Sequence, residues 1–330
     1  MHLATAIENW PFKEPIRITG YTFTGFDFLV ARLSRHGRTG RGEATGVYYR
    51  QDTPPKAAAQ LSALTQALGD GLTRQRLREL LPPGCARNAL DAALWELLSL
   101  ESGRPVWELA GLAAPRPLVT THTLGAERPE VIVATTLRDY PHARALKLKL
   151  TGEPIDADRV RAIRHVRPDA WIGVDANQGF TPASLGALLP TLLECGVGLI
   201  EQPFPIGREA DLEGLDLPIP VAADESVQSL ADLPSMPGRF DIINIKLDKC
   251  GGMTEGLLMA AEARRLGLGV MVGNMVGTTL AMAPAFLLGQ LCDFCDLDGP
   301  LALAGDRDPA AIYEDGHIFV PEASWGASRN

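Results

Sequence analysis

The stretch WIGVDANQGFTPASLGALLPTLLECGVGLIEQP, residues 171–203, spells out one complete unit of the fold. Trp171–Ala176 and Gly198–Gln202 are short apolar runs and read as strands, and Pro182–Cys195 between them reads as a helix. The alternation continues on both sides. Val119–Leu124, Ala143–Leu150, Pro220–Asp224, Ile242–Leu247, Gly269–Gly273 and Phe294–Leu297 are strand candidates, with Asp156–Val166, Thr254–Leu266 and Thr279–Leu288 as helical stretches. The unit recurs about every 25 residues, and strands joined by crossover helices run parallel. Eight such strands predict an α/β fold in which a parallel sheet closes into a barrel, over residues 116–304.

Upstream the texture differs. Phe26–Leu33 reads as a strand, and Ala57–Leu68 and Ala86–Leu100 read as helices, the latter with Leu90, Leu94, Leu97 and Leu98 on one face. Pro115 and Pro117 punctuate a linker, so residues 1–115 form a smaller first domain. The tail, 305–330, is expected to leave the barrel and pack back on that domain. A chain of 330 residues has room for both. The net charge of −9 argues against a nucleic-acid partner, which needs a basic surface. No apolar run reaches the roughly 18 residues of a membrane span. Met1–Phe12 contains Glu8, Asn9 and Pro11 and lacks the apolar stretch of a secretion signal, so the expected address is cytoplasmic. Five cysteines, an odd number, argue against a disulfide framework, and the CxxC of Cys292 and Cys295 reads as buried thiols.

In such barrels the reacting groups sit at the C-terminal ends of the strands. Those ends carry Lys147-Leu148-Lys149, Asp175, Glu201, Asp224, Lys246 and Asp296-Leu297-Asp298. Side chains alternate along a strand, so Lys147 and Lys149 share a face, as do Asp296 and Asp298. Asp175, Glu201 and Asp224 fall on three successive strands, close enough to converge on one ion. All-oxygen ligands suit Mg²⁺. Singly, each feature has a structural reading: a solvated Lys-x-Lys edge, a capping carboxylate, a polar DxD turn. Their meeting at one barrel mouth makes a site.

The arrangement suggests its own chemistry. A carbon acid beside a carboxylate is very weak, and a divalent ion on the carboxylate stabilises the enediolate formed by proton loss. A lysine serves as base if a neighbouring ammonium and the ion lower its pKa. Lys246 lies across the mouth from the Lys147/Lys149 pair. Two lysines on opposite faces of a planar intermediate remove a proton from one side and return it from the other, which is racemisation or epimerisation.

With these residues in hand, the sequence resembles the enolase superfamily, in its muconate-lactonizing subgroup. The resemblance rests on KLK (147–149), DAN (175–177), EQP (201–203), DES (224–226) and KLDKCGG (246–252), together with GRGE (40–43) and CARNALDAALW (85–95). It implies an α+β capping domain and a (β/α)₇β barrel. DLDGP (296–300) looks like the dipeptide epimerase signature, in which the aspartates hold the substrate's α-ammonium. The resemblance implies Lys149 and Lys246 as the acid/base pair, Lys147 as a carboxylate contact and Thr123 as a substrate contact. The implied partner is a dipeptide, and a homo-oligomer is left open. None of the six histidines lies near the seventh strand end, where a His–Asp base would stand, and His122 reads as packing or hydrogen bonding.

Three rivals share the scaffold: N-acylamino acid racemase, o-succinylbenzoate synthase and a cycloisomerase. Their substrates lack a free ammonium for the DxD. A catalytically silent barrel is disfavoured because the expected charges are all present, and Gly267-Leu268-Gly269 lacks the rest of a dinucleotide fingerprint. In relatives acting on Ala-Glu, a cap loop carries an arginine for the glutamate side chain. The matching stretch here, 20–26, contains no basic residue, and Phe23 stands about where that arginine would be. An apolar or uncharged C-terminal residue is therefore expected to be preferred over Ala-Glu, unless another loop supplies the cation through Arg50.

Overall fold

The computed structural model describes residues 1–18, 21–64, 71–215 and 217–328. The first domain opens with an antiparallel sheet, β1 (His2–Ile18), β2 (Tyr21–Arg35) and β3 (Arg38–Ala44), in that order. The strand expected at 26–33 is thus the middle of a 15-residue strand. The stretch around Phe23 is strand rather than loop, and Gly20 lies outside the described residues. Helices α1 (Pro54–Leu64), α2 (Arg74–Leu80) and α3 (Cys85–Ser102) follow. The GRGE motif explains how β3 lies on α3. A Cβ on Gly40 or Gly42 would run into the α3 backbone at Ala93 or Ala89. Only glycine permits that approach, and it carries the next residue, Glu43, fully into the interface with the barrel. There Glu43 accepts bonds from the Thr278 N–H and hydroxyl, 2.7 Å each, and from Arg307 at 2.5 Å.

The barrel strands are β5 (Thr121–Leu124), β6 (Ala145–Lys149), β7 (Trp171–Asp175), β8 (Val197–Glu201), β9 (Val221–Ala223), β10 (Ile242–Lys246), β11 (Gly269–Gly273) and β12 (Phe294–Cys295). They form one parallel eight-stranded sheet in chain order, preceded by β4 (Leu118–Val119). The single strand expected over 119–124 divides at Thr120, whose N–H bonds Gly316 O. β4 instead joins β13 (Ile312–Glu314) and β14 (His317–Phe319) in a small antiparallel sheet. A helix at Pro129–Asp139, which the sequence reading did not single out, connects β5 to β6.

Inward residues change character along each strand. Near the strand starts, Leu199, Ala222, Ile242 and Met271 form a buried apolar cluster with Trp171 and Phe294. Two glycines make room for the indole: a Cβ on Gly173 would sit 2.7 Å from the Trp171 ring, and one on Gly198 would also collide with it. Two or four residues further along, the same faces carry charge. The ring closes sideways rather than by a ladder. Thr121 Oγ1 bonds Asp296, the Thr123 N–H donates to Asp298 (2.7 Å), and the Leu297 N–H donates to Thr120 Oγ1 (2.9 Å).

The tail crosses back to the cap. Arg307 pairs with Glu8 and Glu43, and the Trp325 indole donates to Arg41 O. All five cysteines are free thiols, with burial pushing the Cys292 thiol up to about 12 and Cys295 well above its usual value. No described helix is long and apolar enough to cross a membrane.

Candidate active site

Register sets the site. In the parallel ladders Lys149 pairs with Asp175, Asp175 with Glu201 and Glu201 with Ala222, so the charged strand ends stand at matched heights. Asn177, Gln178 and Gln202, just past two of those ends, have positive φ (42°, 69° and 36°), a strained backbone typical of functional turns. Gln202 is held there by its own amide. Its Nε2 donates to Phe204 O and Ser226 Oγ, and its Oε1 accepts the Asp224 and Ser226 N–H groups. This buried knot ties the end of β8 to the end of β9 and so aligns Glu201 with Asp224.

Asp175, Glu201 and Asp224 are fully buried. Lys149 Nζ lies 2.5 Å from Asp175 Oδ2, and Lys246 Nζ lies 2.7 Å from Asp224 Oδ2. Glu201 Oε1 accepts from Asn244 Nδ2 at 2.7 Å, while Oε2 has no hydrogen-bond donor. Burial and the neighbouring Asp175 push the Glu201 carboxyl up to about 7. Asp224 goes the other way: burial raises it, but Lys246 and Lys249 more than offset that and hold it well below the usual carboxylate range. Among the described residues, no three Asp, Glu, His or Cys side chains are already drawn into a metal cage. Asp175 and Asp224 are instead tied to lysine ammoniums and Glu201 to an amide.

The donor set nevertheless fits Mg²⁺. All donors are hard oxygens, and a buried carboxylate oxygen without a donor is a seat for a cation. The lysines agree. Burial lowers Lys246, yet Asp224 and Glu201 outweigh it and hold the ammonium well above its ordinary value. The sequence reading expects a lowered base with the ion in place; the raised Lys246 belongs to an ammonium among the carboxylates alone.

Asp296 and Asp298 follow the DxD alternation, although β12 ends before them and the chain turns into a short helix, Gly299–Ala302. Leu297 between them is buried in the core. Lys147 is buried against Asp296, with Glu201 Oε2 at 3.5 Å and Asp175 Oδ2 at 3.9 Å. The structure thus gives Asp296 two protein partners, Lys147 and Thr121, and gives Asp298 the Thr123 N–H. Burial and Asp296 raise the Asp298 carboxyl. Thr123 enters through its backbone. His122 packs on Tyr140, ring centroids 4.9 Å apart.

Over the mouth, Phe23 lies 5.3 Å from Tyr48, and Tyr48 lies 5.2 Å from Tyr49 (ring centroids). Tyr48 is within the field of Lys246, Glu225, Asp224 and Asp175. Arg50 donates to Gln228 Oε1 at 3.0 Å. Sequence reasoning missed Tyr48, Tyr49, Thr121, Asn244 and the pairing of Lys249 with Asp224. Asn244 was within reach, since it stands two residues before Lys246 on the same strand face. The tyrosines lie in a short turn without periodicity.

Residues 1–111 match the mandelate racemase / muconate lactonizing enzyme N-terminal domain family, and residues 133–326 the enolase C-terminal domain-like family. The chain is 37% identical to the L-Ala-D/L-Glu epimerase of Escherichia coli, covering 95% of this chain and 98% of that one. It is 39% identical to an N-acetyl-D-glutamate racemase of a Pseudoalteromonas species, over 76% and 79%. A hydrophobic dipeptide epimerase of Roseobacter litoralis is 36% identical, over 93% and 92%. Among solved structures, an Agrobacterium tumefaciens enolase family member with bound sodium and L-Ala-L-Glu superposes with a TM-score of 0.94, at 39% identity over 98% and 99% of the chains. A Methylococcus capsulatus dipeptide epimerase complexed with Mg and L-Arg-D-Lys superposes at 0.90, with 31% identity over 98% and 97%. The chain belongs to the mandelate racemase / muconate-lactonizing enzyme family of the enolase superfamily, alongside the dipeptide epimerases, and is an isomerase.

Proposed function

We propose that the protein is a Mg²⁺-dependent dipeptide epimerase that inverts the α-carbon of the C-terminal residue and prefers apolar or uncharged side chains there. One observation carries the reading. Lys149 and Lys246 end β6 and β10, four strands apart in an eight-stranded ring, each beside a buried carboxylate. On this reading they face each other across the mouth, with Glu201, on the strand midway between theirs, lying between them. Asp175, Glu201 and Asp224 would hold the ion, which would supply positive charge beside the substrate carboxylate. Lys149 takes or returns the α-proton on one face, and Lys246 does so on the other. Lys147 orients the carboxylate, and Asp296 with Asp298 receives the α-ammonium. The cap domain's aromatic row excludes water above.

Specificity follows from that row. Phe23 and Tyr48 offer no cation to a glutamate side chain, and Arg50 is engaged by Gln228. Burying a carboxylate there costs desolvation without a partner. A missing charged hydrogen bond, about 1.5–3 kcal/mol, lowers preference roughly 10- to 150-fold. Apolar side chains gain about 0.8 kcal/mol per buried CH₂. A panel of L-Ala-L-X dipeptides tests this: Ala-Leu, Ala-Phe or Ala-Ala should exceed Ala-Glu in kcat/KM, and Ala-Glu leading by about tenfold would contradict it.

A second reading, N-acylamino acid racemisation, is favoured by the N-acetyl-D-glutamate racemase relative and by the way Lys147 and Thr121 already occupy Asp296. The two readings separate on one comparison. An N-acetylated dipeptide should turn over far more slowly than the free one, whereas equal kcat/KM supports the acyl substrate.

A further inference from the structure

Lys249 has no place in the chemistry above, yet it is among the most deeply buried side chains of the molecule, 1% exposed. An ammonium is tolerated there only if all its donors are used. They are: Nζ lies 2.6 Å from Asp224 Oδ1, 2.6 Å from Asp224 O and 3.1 Å from Asn244 O. Asn244 in turn donates its side-chain amide to Glu201. One ammonium therefore braces Asp224 directly and touches the residue that holds Glu201. Asp224 is shared unequally. Lys246 meets Oδ2, whereas Lys249 meets Oδ1.

The brace is itself anchored. Lys249 sits on the short helix Leu247–Cys250, which ends in Gly251 at φ 78°. The α3 residue Arg87 donates to Cys250 O at 2.5 Å and to Gly251 O at 3.1 Å, and a Cβ on Gly251 would run into its guanidinium. Cap helix, short barrel helix, ammonium and carboxylate make one continuous linkage.

We propose that Lys249 is a positioning residue that fixes Asp224 as a metal ligand by holding Oδ1, so that Oδ2, which Lys246 meets in this structure, stays on the side where the ion would bind. The inference rests on the Mg²⁺ reading above. Partners that orient a ligating carboxylate typically account for 10- to 100-fold in metal affinity.

The test is Mg²⁺ binding measured by titration calorimetry on the full chain, for the parent, Lys249→Met, Asp224→Asn and the double variant, with circular dichroism confirming the fold. Lys249→Met should weaken the Kd about 10- to 100-fold. On the Asp224→Asn background the same change should add almost nothing, because residues acting as one unit are not additive. If Lys249→Met does not fold, Lys249→Gln carries the test, its amide one bond short of the ammonium position. A Mg²⁺ Kd within about threefold of the parent would overturn the proposal, even with a lowered Tm, since that is what a merely structural lysine gives. So would losses that multiply in the double variant. An Asp224→Asn protein binding Mg²⁺ like the parent would overturn the metal reading itself, and this inference with it.

Discussion

The floor and the mouth of the barrel are lined by the same strands only a few residues apart, yet they are built on opposite terms. At the floor, Trp171, Leu199, Ile242, Met271 and Phe294 satisfy one another by contact. At the mouth, Asp175, Glu201, Lys246 and Asp296 stand two or four residues further along those strands. There Glu201 Oε2, Glu225 Oε2 and Asn244 Oδ1 are buried without a hydrogen-bond partner. An apolar layer needs only shape, whereas a charged layer at the same burial needs a cation and a substrate to complete it. The floor is thus the source of stability and the mouth the source of function.

The comparison breaks most sharply at Lys246. Lys246→Ala should lower epimerisation by about 10²- to 10⁴-fold, the usual worth of a proton-transfer group. Exchange of the α-proton should persist from the one epimer that faces Lys149; equal exchange from both epimers would remove the two-base assignment. Met271→Ala probes the other layer. It should cost about 2–5 kcal/mol of unfolding free energy through the cavity it leaves, while the folded variant binds Mg²⁺ as before. A Mg²⁺ Kd that rises with the cavity would show that floor and mouth are not separable.

Asp298→Asn sharpens the contrast within the mouth. It should lower kcat/KM for a free dipeptide by roughly 10- to 150-fold, the equivalent of one charged hydrogen bond, and leave an N-acetylated dipeptide nearly unaffected. Equal losses for both would mean that Asp298 serves the Thr123 seam alone. The smallest effect is on pH. Burial and neighbouring charges raise Glu201, Glu225 and Asp248 each to about 7. A carboxyl raised on folding binds its proton more tightly in the folded state, so stability falls as pH climbs from the unfolded value through about 7. The metal-free Tm should therefore drop between about pH 5 and 7.5, and added Mg²⁺ should recover more at the upper end. Equal Mg²⁺ recovery at both ends would argue against charge compensation at the mouth.

The barrel was legible because each strand is a short buried run with helices between, and its charged ends fall in matched register. The exceptions have physical causes. Pro129–Asp139 carries the β-branched run Val131-Ile132-Val133, which disguises a helix whose buried side is Ile132 and Thr136. β1 went unread because Pro11 and Pro15 interrupt it and much of its length is exposed, leaving no clean alternation. Its register shifts between Pro11 and Ile16. β12 is shorter than expected because Asp296 and Asp298 bond across the seam instead of extending a ladder. In the site, the gathering of the lysines and carboxylates was readable from their places at the strand ends together with side-chain alternation. Tyr48 and Tyr49 were not, because a contact far away in sequence places them: Asp248 accepts the Thr45 and Gly46 N–H groups at 2.9 and 3.0 Å, fixing that turn over the mouth.

On the proposed function, two opposed lysines exchange the α-proton of the C-terminal residue of a free dipeptide in a Mg²⁺-dependent site. The direct measurement is incubation of L-Ala-L-Phe with the protein and Mg²⁺ in D₂O, resolving the two epimers and reading deuterium by mass spectrometry. Deuterium should appear at the C-terminal α-carbon of both the L,L and the L,D dipeptide, and EDTA should stop it. Absence of deuterium from L-Ala-L-Phe and every other free dipeptide tried, with brisk exchange of an N-acylamino acid under the same conditions, would contradict the account.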